Sequence, residues 1–351
     1  MTKRLVDLPL HLAAAIIALA LLCLPALAAP PQIIFDTDFR SDCDDVGALA
    51  ALHKMADAGD CTILGIVAGT TGPGIVAAID AIDTYYGRPD VPIGLSPVPN
   101  VKHGDSYAPR LADPKQFPSD QTNATAPNAV ALYRKLLHAA PDKSVKVVVV
   151  GYATVPALLL KTAANHEGDG IPLSGPDLVK RKVIEMIQMA GIAPGKSDGF
   201  NLAQDPQAAV EVAKNWPTPI VYSAPGQTIQ TGKNLADPKR NPVARAYELC
   251  PLAGGAGVIG DRSSWDQLAT IFAVRGGTWS GTKVVEQSPP GRIRLSIRTV
   301  ENPKNKDKAV KVAGEYTADP AGTRYYLTQV ADDKTIAPLI EALMVAPPGR
   351  R

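Results

Sequence analysis

Apolar runs rich in β-branched residues recur along this chain, and stretches with helical periodicity separate them. Residues 62–68 form one such run, and a helical pattern follows over residues 75–86. The run over residues 145–150 is apolar except for Lys146, which is typical of a central parallel strand. This alternation predicts an α/β fold with a doubly wound, mostly parallel open sheet of the Rossmann type.

Two regions depart from this alternation. Between residues 97 and 128 the chain is polar and rich in proline, without periodicity, and loops this long are usually functional lids or disordered segments. After Ser280 the pattern changes to short strands separated by turns, which predicts a small β-rich C-terminal extension. A helix is predicted at the end of the chain, over residues 337–344, with Pro338 in its first turn.

The length and composition fit one large core. The chain has 351 residues, of which 46% are hydrophobic and 20% charged, and neither a Ser/Gly-rich linker nor an internal repeat divides it. We therefore expect a single domain over residues 30–348.

Residues 1–28 have the features of a secretory signal peptide. Lys3 and Arg4 precede a mainly apolar stretch over residues 8–24, and the sequence Ala-Leu-Ala at 26–28 precedes the expected cleavage site. The alternative is an uncleaved membrane anchor, because the apolar stretch is nearly long enough to span a bilayer. Cleavage would give a secreted or periplasmic protein with no stable membrane insertion.

The net charge of the mature chain is too close to zero to indicate a nucleic-acid-binding surface. Cleavage removes Lys3, Arg4 and Asp7, so the 36 basic residues become 34, the 34 acidic residues become 33, and the net charge is +1. Three cysteines remain, and their odd number and wide spacing imply no disulfide framework, although one disulfide could form in an oxidising compartment. The three are Cys43, Cys61 and Cys250.

Five aspartates within ten residues follow the first apolar run, residues 33–35. They are Asp36, Asp38, Asp42, Asp44 and Asp45. A helical pattern starts at residue 46, so the acids lie where a strand ends and a helix begins, which is the edge at which open α/β sheets bind ligands. Carboxylates this crowded raise one another's pKa until one is protonated or a cation binds.

Calcium is the cation that such a loop favours. It takes six to eight oxygen ligands, whereas zinc prefers His or Cys side chains. Ligands are also needed from neighbouring strand ends, and a carbonyl near Val150 could serve because Gly151 allows a close backbone approach. Asp266 precedes a second predicted helix, residues 267–274. The simpler alternative is that Asp44, Asp45 and Asp266 only cap helices.

Taken together, these residues resemble the inosine-uridine-preferring nucleoside hydrolase family, which are calcium-dependent N-ribohydrolases. The acids carry the resemblance as Asp36-Thr37-Asp38 after the first strand and Asp44-Asp45 before an Ala/Leu-rich helix, with a loop longer than in the best-known members. Weaker matches follow in the family's order at residues 63–69, 77–82, 103–104, 147–158, 199–209 and 264–269. The resemblance implies a nucleoside hydrolase fold, cleavage of ribonucleosides to ribose and base, and homodimers or homotetramers.

The resemblance also implies a set of calcium ligands. These would be Asp38, Asp45, the carbonyl of Val150 and Asp266. Asp38 would in addition act as general base toward the attacking water, and Asp36 would orient the loop. The carboxylate cluster would stabilise the positive charge that develops on the ribose as the base departs.

The substrate contacts implied by the resemblance lie on other segments. Asp44 and Asn201 would hold the ribose together with Asp266, and Phe200 and Trp265 would line the pocket. Trp265 stands where some members have a His that protonates the leaving base. Base departure would then need another acid, such as His103 on the long loop, or stacking on Trp265 or Tyr222.

Two further departures leave other functions open. Thr70 and Gly199 replace an Asn and a Glu of well-studied members, so sugar contacts are fewer. The chain could therefore be a metal-binding relative with lost or altered glycosidase activity, or could act on another riboside. A haloacid-dehalogenase-type phosphatase, with Asp36 as nucleophile and Asp38 as acid, is a weaker alternative because it gives Asp44 and Asp45 no role.

Overall fold

The computed structural model of this chain describes residues 29–40, 42–99, 107–192, 199–255, 257–301 and 308–349. The predicted signal peptide, residues 1–28, and His103 lie outside these ranges. From Pro31 onward the described residues form one compact unit. Among them, no helix has the length and apolar character that crossing a membrane requires.

A ten-stranded sheet organises the described residues. The strands of the chain are β1 (Gln32–Thr37), β2 (Thr62–Ala68), β3 (Ile93–Leu95), β4 (Val145–Val149), β5 (Val183–Met189), β6 (Ile220–Ser223), β7 (Gln230–Thr231), β8 (Gly254–Gly255), β9 (Val258–Ile259), β10 (Arg262–Ser263), β11 (Thr278–Trp279), β12 (Thr282–Lys283), β13 (Val285–Gln287), β14 (Gly291–Glu301), β15 (Lys308–Ala318) and β16 (Arg324–Gln329). Six of them, β7 to β12, form three small two-stranded pairs outside the central sheet.

The strand order places β1 at the point where the winding of the sheet reverses. The central sheet runs β15-β14-β16-β6-β5-β4-β1-β2-β3, with β13 paired to β16. Strands β1 to β6 and β16 pair in parallel, whereas β13, β14 and β15 pair antiparallel. This confirms the predicted doubly wound sheet. From β1 the chain adds β2 and β3 on one side of the sheet, and from β4 it adds β5 and β6 on the other side. A ligand crevice is therefore expected between the carboxyl ends of β1 and β4.

Helices cover both faces of the sheet. They are α1 (Asp44–Asp57), α2 (Ile75–Tyr85), α3 (Ala108–Leu111), α4 (Ala129–Ala139), α5 (Thr154–Leu160), α6 (Gly175–Lys182), α7 (Phe200–Gln204), α8 (Pro206–Asn215), α9 (Pro242–Leu249), α10 (Trp265–Arg275) and α11 (Asp333–Val345). Because side chains alternate along a strand, Ile33 and Phe35 of β1 join the core under α1, α2 and α10, while Ile34 joins the core under α4, α5 and α8.

The C-terminal extension differs in detail from its prediction. Its strands β14 and β15 are eleven residues each and pair along their whole length, so they are long rather than short. Helix α11 begins at Asp333, because the Asp332 side chain caps it by accepting a hydrogen bond from the Thr335 amide at 2.8 Å. Pro338 therefore lies in the second turn, and the prediction of a first-turn proline is wrong.

Candidate functional site

The ends of β1 and β4 touch through backbone atoms. The amide of Val150 donates to the carbonyl of Asp36 at 2.8 Å, one residue past the end of β4. Gly151 follows, and a Cβ atom at that position would lie 2.5 Å from the backbone nitrogen of Asp38. Only glycine allows this approach, which brings residues 150 and 151 beside the start of the acid-rich loop.

Alternation along β1 sends successive side chains to opposite faces of the sheet. Thr37 points toward α1 and donates its hydroxyl hydrogen to Asp45 Oδ1, which also accepts from the Phe39 amide at 3.2 Å. Asp36 points the other way, where its Oδ2 accepts from the Tyr133 hydroxyl on α4 at 2.8 Å. Asp36 thus lies on the face opposite Asp45 and anchors the strand end, whereas Asp45 ties the first turn of α1 to β1.

Removing the Tyr133 hydroxyl should destabilise the fold. The second oxygen of Asp36, Oδ1, is buried and has no hydrogen-bond partner within the described part of the chain, so Tyr133→Phe would leave both carboxyl oxygens without one there. We expect the free energy of unfolding to fall by about 1–3 kcal/mol. Tyr222→Phe is the matched control, because the Tyr222 hydroxyl is equally buried but has no hydrogen-bond partner in the ranges that the structure describes. Urea unfolding should show little change for that variant, and equal losses for both would contradict the argument.

The remaining acids of the loop gather in front of α1. Oxygen atoms of Asp42, Asp44 and Asp45 lie within 4.8 Å of one another, an arrangement that could hold a metal ion. Asp38 accepts a hydrogen bond from the Tyr152 hydroxyl and lies beside Asp45. Two carboxyl groups this close repel each other when both are charged, and a bound cation would relieve this repulsion.

Asp266 reaches the same cluster from α10. The negative charges of Asp44, Asp45, Asp42 and Asp38 all act on its carboxyl group. Ser264 occupies the N-cap position of α10, and Cys43 occupies that of α1. The acids therefore lie inside the first helical turns and do not take the N-cap position itself.

Burial and mutual repulsion raise the pKa of the clustered carboxyls. Burial is the larger cause for Asp38, Asp44 and Asp266, and the charges of neighbouring acids add to it, so the pKa of each lies well above its ordinary value of 3.8. For Asp45, burial and the charge of Asp42 raise the pKa to about 7. A bound cation would remove this penalty by favouring the charged forms.

The donor atoms of the cluster fit a hard cation. Asp44 Oδ2 and Asp266 Oδ1 are buried without a hydrogen-bond partner among the described residues. Buried carboxylate oxygens of this kind usually have a partner, and a cation would provide one. The predicted ligand set of Asp38, Asp45, the Val150 carbonyl and Asp266 shares only Asp45 with the closely spaced acids Asp42, Asp44 and Asp45.

Asn201 approaches the cluster from α7. It is buried, and its Nδ2 donates to the Val150 carbonyl at 2.6 Å and to the Met189 carbonyl at 3.4 Å. A carbonyl oxygen has two lone pairs, so Val150 can accept this bond and still coordinate a cation. Phe200, the preceding residue, is 54% exposed and stands at the surface. Tyr222 is fully buried in the sheet, so the predicted stacking of a base on it is wrong.

Arg262 and Asp42 form a contact that the sequence did not reveal. Arg262 Nη2 lies 2.6 Å from Asp42 Oδ2, and the guanidinium carbon lies 4.9 Å from the centre of the Trp265 ring. The arginine thus neutralises the outermost acid of the loop and holds Trp265 beside it. Tyr152 was also missed, although its place directly after Gly151 at a strand end was a usable signal.

Comparison with known proteins supports the fold at low sequence identity. Neither a protein-family model nor a curated protein matches the chain. Among solved structures, the purine-preferring ribonucleoside hydrolase from Gardnerella vaginalis superposes with a TM-score of 0.58 at 18% identity, covering 89% of this chain and 98% of its own. The inosine-uridine-preferring nucleoside hydrolase from Bacillus anthracis gives 0.53 at 13%, covering 90% and 99%.

A third similar structure is the type III effector protein XopQ complexed with adenosine diphosphate ribose. It superposes with a TM-score of 0.55 at 15% identity, covering 94% of this chain and 97% of its own. The fold of this chain is therefore that of nucleoside hydrolases, as the sequence predicted, and a type III effector protein shares it.

Proposed function

We propose that this protein hydrolyses the N-glycosidic bond of ribonucleosides or related ribosides, with calcium as cofactor. The observation that carries the proposal is the convergence of Asp38, Asp44, Asp45 and Asp266 where β1 and β4 end in a nucleoside hydrolase fold. The named relatives act on purine ribonucleosides or on inosine and uridine. Each of the four acids lies at a position that the family motif assigns to the metal or to ribose.

In the proposed reaction, water replaces the base at the anomeric carbon. The bond between that carbon and the base nitrogen breaks, and the bonding electrons leave with the base. Asp38 accepts a proton from the attacking water, whose oxygen bonds to the anomeric carbon. Its hydrogen bond from Tyr152 keeps the carboxyl oriented for this step. The negative cluster stabilises the cationic character of the ribose in the transition state.

Calcium would be held by Asp38, Asp45, the Val150 carbonyl and Asp266. When bound, it would coordinate the two ribose hydroxyls and lower the pKa of the attacking water. Asp44, whose Oδ2 has no hydrogen-bond partner among the residues described, would accept a hydrogen bond from a ribose hydroxyl, and Asn201 would contact the sugar from α7. Phe200 and Trp265 would flank the base, and His103 would protonate it.

The second candidate is a metal-dependent binding protein that no longer cleaves ribosides. Thr70, Gly199 and Trp265 favour it, because they remove an amide, a carboxylate and a histidine that sugar binding and base departure use in the family. Thr70 instead donates its hydroxyl hydrogen to the carbonyl of Asp38 at 2.7 Å, which is a structural contact. The complex of XopQ with adenosine diphosphate ribose is an example of a ligand held by this fold.

One assay separates the candidates. Purified protein is incubated with inosine, uridine and cytidine, with added calcium or with EDTA, and released reducing sugar is measured. Sugar release that EDTA abolishes and calcium restores supports the hydrolase. Calcium binding by calorimetry without turnover supports the binding protein, and magnesium-dependent release of phosphate from p-nitrophenyl phosphate would support the phosphatase.

The place of action and the assembly are also proposals. The segment over residues 1–28 supports export to the periplasm or the medium. A homo-oligomer follows from the resemblance alone. Fractionation of cells that express the full chain, with N-terminal sequencing of the exported form, tests the first, and light scattering of the purified protein tests the second.

A further inference from the structure

Two cysteines far apart in sequence meet beside the acid cluster. Cys43 occupies the N-cap position of α1 and directly precedes Asp44. Cys250 directly follows α9, and both side chains are completely buried. The thiols of Cys43 and Cys250 are neighbours, close enough for each to act on the pKa of the other. The sequence suggested one disulfide at most and gave no pairing, whereas the fold brings these two side chains together.

A second contact shows that the two helix ends pack tightly. One turn into α1, a Cβ atom at Gly47 would lie 2.7 Å from the hydroxyl of Tyr247, in the last turn of α9. Helices α1 and α9 therefore approach closely within one turn of the two cysteines. Neighbouring sulfur atoms on helix ends this close can reach bonding geometry through side-chain rotation.

Cys61 has a different environment. It precedes β2, at the amino end of the parallel strands, whereas Cys43 and Cys250 lie at the carboxyl end with the acid cluster. The charged groups that act on its thiol are Asp60, Arg88 and Arg275, and none of them is one of the clustered acids. Cys61 is therefore the natural control for any reaction of the other two.

We propose that Cys43 and Cys250 form a disulfide that covalently ties the start of α1, with its acids, to the end of α9. In this reaction the two S–H bonds break and one S–S bond forms. The two electrons and two protons pass to a small-molecule or protein disulfide, which is reduced to two thiols. Reduction by a dithiol reverses the step. The cross-link would close a loop of more than two hundred residues and restrict the segment that carries Asp44 and Asp45.

Peptide mapping tests the pairing directly. The folded full chain and its Cys61→Ser variant are incubated with oxidised glutathione, blocked with an alkylating reagent, digested without reduction and analysed by mass spectrometry. We expect one linked species that contains the Cys43 and Cys250 peptides in both proteins, and its loss after treatment with a dithiol. Recovery of both peptides fully alkylated, or a link that includes Cys61, would overturn the proposal.

Thermal unfolding tests the consequence. We expect the oxidised protein to melt about 5 °C or more above the reduced protein, and the Cys43→Ser and Cys250→Ser variants to lose this difference while Cys61→Ser keeps it. The comparison between oxidised and reduced forms of one protein does not depend on whether a variant folds less well. A linked species without any rise in melting temperature would refute the proposed restraint, and neither readout requires hydrolase activity.

Discussion

Replacing Asp38 with Asn is expected to lower kcat/KM for ribonucleoside hydrolysis by about 10³-fold or more. An amide cannot accept the proton of the attacking water, and loss of a general base typically costs about 10² to 10⁴ in rate. Asp38 is also a proposed calcium ligand, so the substitution weakens two functions of one side chain. Asp45, Asp42 and Tyr152 all act on its carboxyl group, so Asp38 lies within the acid cluster.

Two measurements separate these functions of Asp38. Sugar release at saturating calcium reports the loss of the base, and calcium titration by calorimetry reports the loss of the ligand. Asp261→Asn is the matched control, because that carboxylate lies on the same segment as Asp266 but accepts a hydrogen bond from the Lys233 amide at 3.0 Å. We expect its activity to be unchanged. Activity of Asp38→Asn within about tenfold of the original protein would rule out Asp38 as general base.

The sequence was sufficient to predict the fold and the neighbourhood of the acids. Strand β4 is apolar and β-branched apart from Lys146, which is typical of a central parallel strand, and Gly151 marks where its end approaches β1. The carboxyl ends of parallel strands share one edge, so acids after β1 and at the start of α10 could be expected to meet. Periodicity and glycine placement can be read from neighbouring residues, and they indicate both the central parallel strand and the sheet edge at which the acids lie.

The contacts that were missed depend on distances between remote segments. The ion pair of Asp42 with Arg262 joins residues 220 apart in sequence, and neither residue shows a pattern that selects the other. The pairing of Cys43 with Cys250 is missed for the same reason. Strand length in β14 and β15 was underestimated because their outer halves are exposed, so the alternation of buried and exposed side chains ends before the backbone pairing does.

Asp266→Asn is expected to make the calcium-free protein more stable and the calcium-loaded protein less stable. In chelator-treated protein, Asp266 is buried among other acids that oppose its ionisation, and one of its oxygens has no hydrogen-bond partner among the described residues. An amide removes the repulsion and can donate to neighbouring carboxylates, so we expect a gain of about 2 kcal/mol or more in the free energy of unfolding. Calcium at about 100 times its Kd should stabilise the original protein by about 3 kcal/mol and the variant far less.

The pH dependence of the calcium-free protein follows from the same repulsion. A carboxyl whose pKa is raised in the folded state keeps its proton there while the unfolded chain has already lost it, so stability falls as pH rises between the two values. For Asp45 that window runs from about 4 to about 7, and Asp38, Asp44 and Asp266 act in the same direction. Urea unfolding with EDTA should therefore show lower stability at pH 8 than at pH 5, with a weaker decline in Asp266→Asn.

Asp57, at the other end of α1, provides a control of opposite sign. Partial burial opposes its ionisation, but hydrogen bonds from Lys54 and Arg88 outweigh this and lower its pKa to about 2. Its charge therefore stabilises the fold above pH 4, and this contribution is lost only as pH falls toward 2. Asp57→Asn should destabilise the calcium-free protein at pH 8, where Asp266→Asn stabilises it. If both substitutions shift the unfolding midpoint in the same direction, repulsion within an empty cation site is not what limits the stability of this fold.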